Sequence, residues 1–265
     1  MDTTAGADYW IREAGSAAAD LDQIASQNYS LPADIHRVVR TDQVSFLEKL
    51  VRDQPHPRNV LDLGCGPGVW AMELAHLVDS WLGIDISRHF VDHANDEAAR
   101  RGLAHLDFRV GSMLSVDEGA RFQIIILGGT FGYIGDRDLR PMMEVVKKHL
   151  APGGVVYVRV STMPGIYPRL SLGRLYPITY RKQAEYERLF RQSGFHTETA
   201  RDYAFTRASL ATVYTAPARW YGKTGMTAYR LAMRFSPLTF GLARRLLDLL
   251  PVPRSSLFVL RLQEG

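Results

Sequence analysis

The sequence is poor in cysteine and has no long apolar segment. Its single cysteine among 265 residues, Cys65, excludes an internal disulfide. No apolar run approaches the ~18 residues that a membrane-spanning helix requires. The start, MDTTAGADYW, lacks the basic and apolar regions of a signal peptide, and Cys and His do not cluster at the spacings of zinc sites. We therefore expect a soluble, cytoplasmic protein without a bound metal.

Positive charge is scarce in the first half of the chain and concentrated in the second. Residues 1–150 contain 15 Lys and Arg against 22 Asp and Glu, whereas residues 151–265 contain 17 against 6. Much of the excess lies in residues 205–254, together with several aromatic side chains. The basic half could pair with acids of the first half, bind an anionic small substrate, or contact an anionic membrane surface. We favour the first interpretation, because it needs no outside partner.

The most informative pattern is VLDLGCGPGVW at residues 60–70. Asn59–Leu63 is a short apolar strand by its composition, and the glycines that follow permit positive φ and close approach of the backbone to a ligand. Pro67 suits the first position of a helix. Asp85, 21 residues after the first glycine, ends the next predicted strand, where a carboxylate can accept hydrogen bonds from ribose hydroxyls. The sequence therefore predicts a nucleoside-containing cofactor at the first βα turn of a Rossmann-like sheet.

Predicted strands and helices alternate along the rest of the chain. Further strands are predicted at His105–Val110, Phe122–Leu127, Val155–Val160, Phe195–Ala204 and Ser255–Leu262. Helices are predicted at Arg88–Gly102, Asp138–Leu150 and Tyr180–Ser193, with a chain break at Pro152–Gly154. This alternation is typical of a parallel α/β sheet covered on both faces.

The glycine spacing distinguishes between two classes of cofactor. A nicotinamide dinucleotide fingerprint requires a glycine at position 69, where this chain has Val69. The form LDLGCGPG followed by Asp85 instead resembles motif I of the class I S-adenosylmethionine (SAM) dependent methyltransferases. The resemblance covers Asn59–Val160 closely, and the later strands and helix more loosely. It implies a three-layer, Rossmann-like sheet of seven strands, with an antiparallel seventh strand between the fifth and sixth.

The resemblance also implies which residues bind SAM. Asp62 would hold the methionine end and Asp85 the ribose hydroxyls. Ser112 and Met113 stand where many members carry an acid that binds the adenine amino group. The other residues implied to contact the cofactor are Gly64, Cys65, Gly66, Gly68, Ile86, Leu127 and Gly128.

No fixed catalytic triad is expected, because the sulfonium charge already activates the methyl group and alignment is the main task. Tyr133 stands where many small-molecule relatives carry a histidine, so it either orients or deprotonates the acceptor or packs against a cap. His36 is a further candidate base. Arg159 interrupts an apolar strand, and an unpaired buried arginine is costly. It therefore either pairs with an acid or receives a substrate anion.

The resemblance divides the chain into a core and two additions. The SAM-binding core comprises residues 54–204 with 255–265. Residues 1–53 are predicted as an amino-terminal helical cap, and residues 205–254 as a helical insertion between the sixth and seventh strands. Both additions, with the loop Ser161–Thr179, would emerge at the carboxyl edge of the sheet, where α/β proteins bind ligands.

These features favour a SAM-dependent methyltransferase acting at oxygen, nitrogen or carbon of a small molecule, with secondary metabolism as its setting. A nucleic-acid methyltransferase would suit the basic half. However, the D/N-P-P-Y/F tetrad of amino-methylating enzymes is absent after the fourth strand, where GGTF stands. A non-methylating descendant of the same fold is the other alternative. The oligomeric state is not defined by the sequence.

Overall fold

The structure, a computed structural model, describes residues 3–15, 33–116, 119–163, 165–166, 168–171, 177–201 and 254–263. The α-helices in these ranges are α1 (Thr3–Gly15), α2 (Ala33–Arg52), α3 (Val69–Leu74), α4 (Arg88–Arg100), α5 (Leu139–His149) and α6 (Gln183–Gln192). The strands are β1 (Asn59–Leu63), β2 (Ser80–Asp85), β3 (Leu106–Val110), β4 (Phe122–Gly128), β5 (Leu150–Met163), β6 (Leu170–Ser171), β7 (Thr179–Lys182), β8 (Phe195–Arg201) and β9 (Arg254–Leu262). Short 3-10 helices lie at Ala75–Leu77 and Phe131–Tyr133.

Seven of these strands form the expected sheet, in the order β3-β2-β1-β4-β5-β9-β8. The pairings from β3 to β5 are parallel, whereas β9 runs antiparallel to both β5 and β8. This confirms the predicted Rossmann-like fold with an antiparallel last strand between the fifth and sixth core strands. The described part of the sheet has two strands more than expected, because the β6–β7 hairpin pairs with the far end of β5.

Neighbouring residues of the central strand β4 point to opposite faces of the sheet. Ile124 and Ile126 pack with side chains of α2, α3 and α4, whereas Ile125 and Leu127 pack with those of α5 and α6. All four are fully buried. A strand buried on both faces has a continuous apolar sequence, and this explains the FQIIIL run.

Two predicted boundaries move because of local backbone geometry. Helix α3 begins at Val69 and not at Pro67, since Gly68 adopts a left-handed conformation with φ of 76° that a right-handed helix cannot contain. The predicted break at Pro152–Gly154 is instead an irregular part of β5, where the pairing with β4 shifts register.

The helix predicted at Tyr180–Ser193 starts three residues later than expected. The preceding segment, β7, pairs in parallel with Thr162 and Met163 at the end of β5. Helix α6 then begins where the Glu185 side chain accepts a hydrogen bond from the backbone amide of Lys182 at 2.8 Å. The carboxylate satisfies an amide that has no partner inside the helix.

The predicted insertion at residues 205–254 lies outside the described residues except for its last position. Its two ends are nevertheless fixed, because β8 ends at Arg201 and β9 begins at Arg254. Strand β9 is antiparallel to both β5 and β8, so β8 points in the same direction as β5. The connection therefore leaves and re-enters the sheet at its carboxyl edge. Among the helices that the structure describes, none is both long and apolar enough to cross a bilayer.

Candidate active site

The glycine-rich turn after β1 folds against the end of β2. The amides of Gly64 and Cys65 donate to the carbonyl oxygen of Ile84 at 2.7 and 3.2 Å. Gly64 has a φ of 81°, and a Cβ added there would lie 2.2 Å from a methyl carbon of Thr130. A side chain at this position would thus strain the turn and displace the segment that follows β4.

Asp85 holds this turn from the end of β2. Its Oδ2 accepts a hydrogen bond from the amide of Gly66 at 2.8 Å, and its Oδ1 accepts one from the amide of Ser87 at 2.9 Å. Burial raises the pKa of the Asp85 carboxyl, and these hydrogen bonds oppose the rise. Each carboxylate oxygen accepts more than one hydrogen bond. Asp85 can therefore hold the turn and bind ribose hydroxyls at the same time.

Asp62 is a buried acid beside the turn, with 2% of its surface exposed. Burial, and then the negative charge of Asp85, raise the pKa of the Asp62 carboxyl to about 8. Burial and the two acids also raise the pKa of the Cys65 thiol, so this thiol stays protonated and unreactive near neutral pH. The described residues contain no group of three or more His, Cys, Asp and Glu side chains arranged to hold a metal ion. With a pKa of about 8, Asp62 is mostly protonated near neutral pH unless a cation binds beside it.

The residues predicted to face adenine lie on the other side of the turn. The terminal carbon of Met113 lies 3.5 Å from the position that a Cβ on Gly64 would take. The hydroxyl oxygen of Ser112 accepts a hydrogen bond from the amide of Leu114 at 3.2 Å, so it stabilises its own loop. Ile86 is half-buried directly after Asp85. Their contacts with a cofactor stay predictions.

The end of β4 contacts the helix that follows the glycine turn. Leu127 is fully buried in the core, and Gly128 faces Trp70 of α3. A Cβ at position 128 would lie 2.2 Å from the Trp70 ring. Glycine at this position thus lets the aromatic ring lie directly against the backbone of β4.

Tyr133 lies in the 3-10 helix after β4 and is covered by α1. Its ring is nearly parallel to that of Tyr9, with 6.3 Å between centroids, and edge-on to that of Trp10 at 5.3 Å. Only 5% of Tyr133 is exposed. These contacts favour the interpretation that Tyr133 packs against a cap, while its acid–base role stays a prediction. The side chain of His36 lies outside the described residues, although its backbone belongs to α2.

Helix α1 approaches the Tyr133 segment through Gly6. We expect Gly6→Val to separate the two, because a Cβ there would lie 2.7 Å from the carbonyl oxygen of Tyr133. The Thr3 hydroxyl, which bonds Asp138 and accepts from the amide of Gly135, would lose its partners. Amide hydrogen exchange in residues 3–15 should accelerate by at least about tenfold.

The matched control for this prediction is Asp8→Val. Asp8 is exposed on the same helix, so the variant introduces the same β-branched side chain without the clash. Its exchange should stay within about threefold of the unaltered protein. Equal exchange in the Gly6 and Asp8 variants would show that the close approach does not hold α1.

A buried arginine that sequence analysis missed holds the Tyr133 segment from β7. Arg181 is 1% exposed and donates to the carbonyl oxygens of Phe131 at 3.1 Å and Ile134 at 2.7 Å. Its Nε pairs with Asp136 at 2.8 Å. Although burial opposes the effect, the hydrogen bond from Arg181 holds the pKa of the Asp136 carboxyl below its ordinary value. Arg169 also pairs with Asp136, so arginines of the basic half do meet an acid of the first half.

Arg159 lies beside Gly128 in the sheet and has a different environment. Its Nη2 donates to the carbonyl oxygen of Gly128 at 3.4 Å, and its Nε is buried without a hydrogen-bond partner. The guanidinium carbon lies 5.7 Å from the centre of the Trp70 ring. Burial lowers the pKa of Arg159, and the groups that oppose this are Tyr157 and Tyr133. No Asp or Glu within the described ranges forms an ion pair with Arg159, so pairing with an acid finds no support there.

Known sequences provide one match to a family and several to individual proteins. A family profile described as a methyltransferase domain matches residues 60–154, from β1 into β5. The ubiquinone biosynthesis O-methyltransferase of Brucella anthropi is 26% identical over 162 residues, which are 58% of this chain and 64% of that protein. The chain spans less than two thirds of the length of the curated relatives that it matches first.

Solved structures share the fold over most of the chain. The geranyl diphosphate C-methyltransferase of Streptomyces coelicolor, in complex with Mg²⁺, geranyl diphosphate and S-adenosyl-L-homocysteine, has a TM-score of 0.62 at 16% identity. The match covers 84% of this chain and 79% of that one. The [4+2]-cyclase SpnF has a TM-score of 0.58 at 18% identity, with coverage of 84% and 82%. At such identities the likeness establishes the fold alone.

Proposed function

We propose that this chain, whose residues 60–154 match the family profile of a methyltransferase domain, transfers the methyl group of SAM to oxygen, nitrogen or carbon of a small molecule. The observation that carries this proposal is the glycine turn with two acids beside it, the buried Asp62 and the half-buried Asp85. Asp85 orients the turn through the amide of Gly66, and Asp62 lies behind it with a raised pKa. A neutral ligand would leave Asp62 protonated near neutral pH, whereas a cation beside it would favour the carboxylate.

The turn fits SAM in shape and in charge. Bound there, SAM supplies a methyl group that its positively charged sulfur makes electrophilic. The ammonium group of its methionine half would give Asp62 a partner and so favour the ionised carboxylate. The ribose hydroxyls would donate to Asp85. The glycines leave room for the ligand beside the backbone amides.

The chain's own contribution would be alignment and exclusion of water. Alignment of the reacting atoms contributes roughly 7–11 kcal/mol in well-oriented systems. Helix α1, which contacts the Tyr133 segment through Gly6 and Tyr9, covers one side of this edge. Tyr133 would orient the acceptor, or take its proton where the attacking atom carries one.

A small-molecule acceptor is supported by the names of the similar proteins. One is named for O-methylation in ubiquinone biosynthesis and another for C-methylation of geranyl diphosphate. We propose that this chain likewise acts in biosynthesis, with secondary metabolism as its setting. One name specifies methylation at oxygen and the other at carbon. The names therefore support a small-molecule acceptor and do not indicate which of its atoms is methylated.

Residues 205–254 would form a helical cap over the acceptor. The directions of β5, β8 and β9 support this, because the connection must leave and re-enter at the carboxyl edge. The turn with Asp62 and Asp85 lies at the same edge of the sheet. An insertion placed there would shape the acceptor cavity and exclude water from it.

Asp85→Ala is expected to weaken binding of S-adenosylhomocysteine by more than about tenfold. The reason is loss of hydrogen bonds from the ribose to a charged acceptor, each worth about 1.5–3 kcal/mol. Isothermal titration calorimetry measures the change. Asp107→Ala is the matched control, because Asp107 is exposed on β3 and pairs with Arg109. Wild-type affinity in the Asp85 variant, or no binding to the unaltered protein, would contradict the proposal.

A different reaction in the same fold is the second candidate function, and the similarity to the cyclase SpnF is what favours it. Cofactor binding does not separate the two candidates. Transfer of an isotopically labelled methyl group from SAM to an added acceptor does. Cofactor binding without any methyl transfer over a broad set of acceptors would favour the second candidate.

A further inference from the structure

We propose that the acceptor carries an anionic group, a carboxylate or a phosphate, which binds Arg159. The inference rests on the proposed function and specifies the charge of its substrate.

Arg159 lies where the reacting groups would meet. It is paired in the sheet with Gly128, the last residue of β4, and ligands of open α/β sheets bind beyond the carboxyl ends of the strands. Trp70, which follows the glycine turn by two residues, contacts Gly128 and lies over the guanidinium. One aromatic ring thus links the cofactor turn to Arg159.

Two arginines of this region, the buried Arg181 and the half-buried Arg159 with its buried Nε, differ in how their charge is satisfied. Arg181 donates to two carbonyl oxygens and pairs with Asp136. Arg159 makes one long hydrogen bond to a carbonyl oxygen, and its Nε has no partner. A buried cation without a counter-charge is unfavourable, and the planar fork of arginine matches a carboxylate or phosphate. An anion supplied by the substrate would provide the missing partner.

A second buried polar atom at the same edge also lacks a partner. The hydroxyl oxygen of Thr130, two residues after Gly128, makes no hydrogen bond in the structure. A hydroxyl donates one hydrogen bond, which is weaker towards an anion than a bond from a charged guanidinium. Thr130, whose methyl carbon lies beside the glycine turn, therefore offers one further donor for a ligand bound at this edge.

The positive charge of SAM should affect how tightly an anion binds at this edge. A sulfonium bound near Gly128 would add a second cation to the edge that already holds Arg159, and like charges repel strongly where water is excluded. An acceptor anion would compensate both charges. We therefore expect the anion to bind more tightly when SAM, and not the neutral thioether S-adenosylhomocysteine, occupies the cofactor turn.

Calorimetry on the full chain saturated with S-adenosylhomocysteine tests the proposal. Pyrophosphate, benzoate and benzamide are titrated separately, with benzamide as the uncharged counterpart of benzoate. At least one anion should bind at least about tenfold more tightly than benzamide, and Arg159→Met should remove that advantage. The stronger of the two anions identifies the acceptor group as a phosphate or a carboxylate.

Two controls distinguish anion binding at Arg159 from a general attraction of anions to positively charged side chains. Arg140→Met removes an exposed arginine that bonds Gln192, and it should leave anion binding unchanged. Repeating the titration with SAM in place of S-adenosylhomocysteine should tighten anion binding by at least about threefold. By linkage, the anion should raise the affinity for SAM relative to that for S-adenosylhomocysteine by the same factor. Arg159→Met should abolish this coupling while keeping the affinity for S-adenosylhomocysteine.

The outcomes distinguish this inference from the proposed function. Equal anion binding by the unaltered protein and Arg159→Met, or no anion binding to the cofactor-loaded protein, overturns the inference alone. Failure to bind S-adenosylhomocysteine overturns the proposed function and the inference with it. If Arg159→Met does not fold, Arg159→Lys replaces it, because lysine keeps the charge and loses the fork. That variant should weaken anion binding by at least about threefold, and unchanged binding would likewise overturn the inference.

Discussion

Arg181→Met is expected to lower the free energy of unfolding by about 1–3 kcal/mol. The guanidinium is fully enclosed, and its removal leaves the carbonyl oxygen of Ile134 without the Arg181 donor, while that of Phe131 keeps the amide of Ile134 at 3.3 Å. Loss of the ion pair with Asp136 contributes less to the destabilisation than loss of these hydrogen bonds. The Asp136 side chain is 54% exposed, so water can replace the guanidinium. Denaturant titration of the unliganded protein measures the loss.

Arg140→Met serves as the control for this stability measurement as well. Its arginine is exposed and bonds only Gln192, so its effect should stay within about 0.5 kcal/mol. The Arg181 variant should also accelerate hydrogen exchange in α1, because the segment that α1 contacts is the one that Arg181 holds. A loss below about 1 kcal/mol would mean that the hydrogen bonds of Arg181 add little to stability.

Asp62→Asn is expected to become more stable than the unaltered protein as the pH rises. The pKa of the Asp62 carboxyl is about 8 in the folded protein against an ordinary value of 3.8. The folded protein therefore keeps a proton that the unfolded chain releases near pH 4. Stability from this proton is fully present below that pH, declines as the pH rises, and is lost above about pH 8.

The size of this effect follows from the pH range between the two pKa values of Asp62, in the unfolded and in the folded protein. One unit of pKa corresponds to about 1.4 kcal/mol, so the difference in unfolding free energy between Asp62→Asn and the unaltered protein should grow by about 2–3 kcal/mol from pH 6 to pH 9. Urea titrations at several pH values, without cofactor, measure it. Asp107→Asn, an exposed acid on β3, should show no such trend. If the difference in unfolding free energy between Asp62→Asn and the unaltered protein stayed constant across this pH range, the raised pKa of Asp62 would be refuted.

The first strand, the glycine turn and the acid at the end of the second strand could be predicted from the sequence. The run from Asn59 to Leu63, the glycine turn and Asp85 each have a short-range signature, and all three lie where expected. The strand order, with the antiparallel last strand, followed from the resemblance to a family and was confirmed. Features that a few neighbouring residues determine can be recognised without knowing the rest of the chain.

The features that sequence analysis missed depend on distant partners. Strand β7 exists because β5 extends beyond Val160 and offers it a free edge, and the sequence of β7 alone resembles the start of a helix. Arg181 showed no signal, since three of its four acceptors belong to a segment about fifty residues earlier in the chain. The contact of Gly6 with Tyr133 joins the amino-terminal helix to the segment after β4; the sequence predicted a cap there but left open whether Tyr133 packs against it.

The chemistry of Cys65 has a practical consequence for labelling. It is the single cysteine of the chain, and burial beside two acids keeps its thiol protonated. Maleimide reagents attack thiolates, so a cysteine introduced at an exposed position would be modified long before Cys65. Asp8 on α1 and Ile166, which is 69% exposed after β5, are suitable positions. Fluorophores on this pair would follow the distance between α1 and the β5–β6 connection during turnover, with the native cysteine left in place.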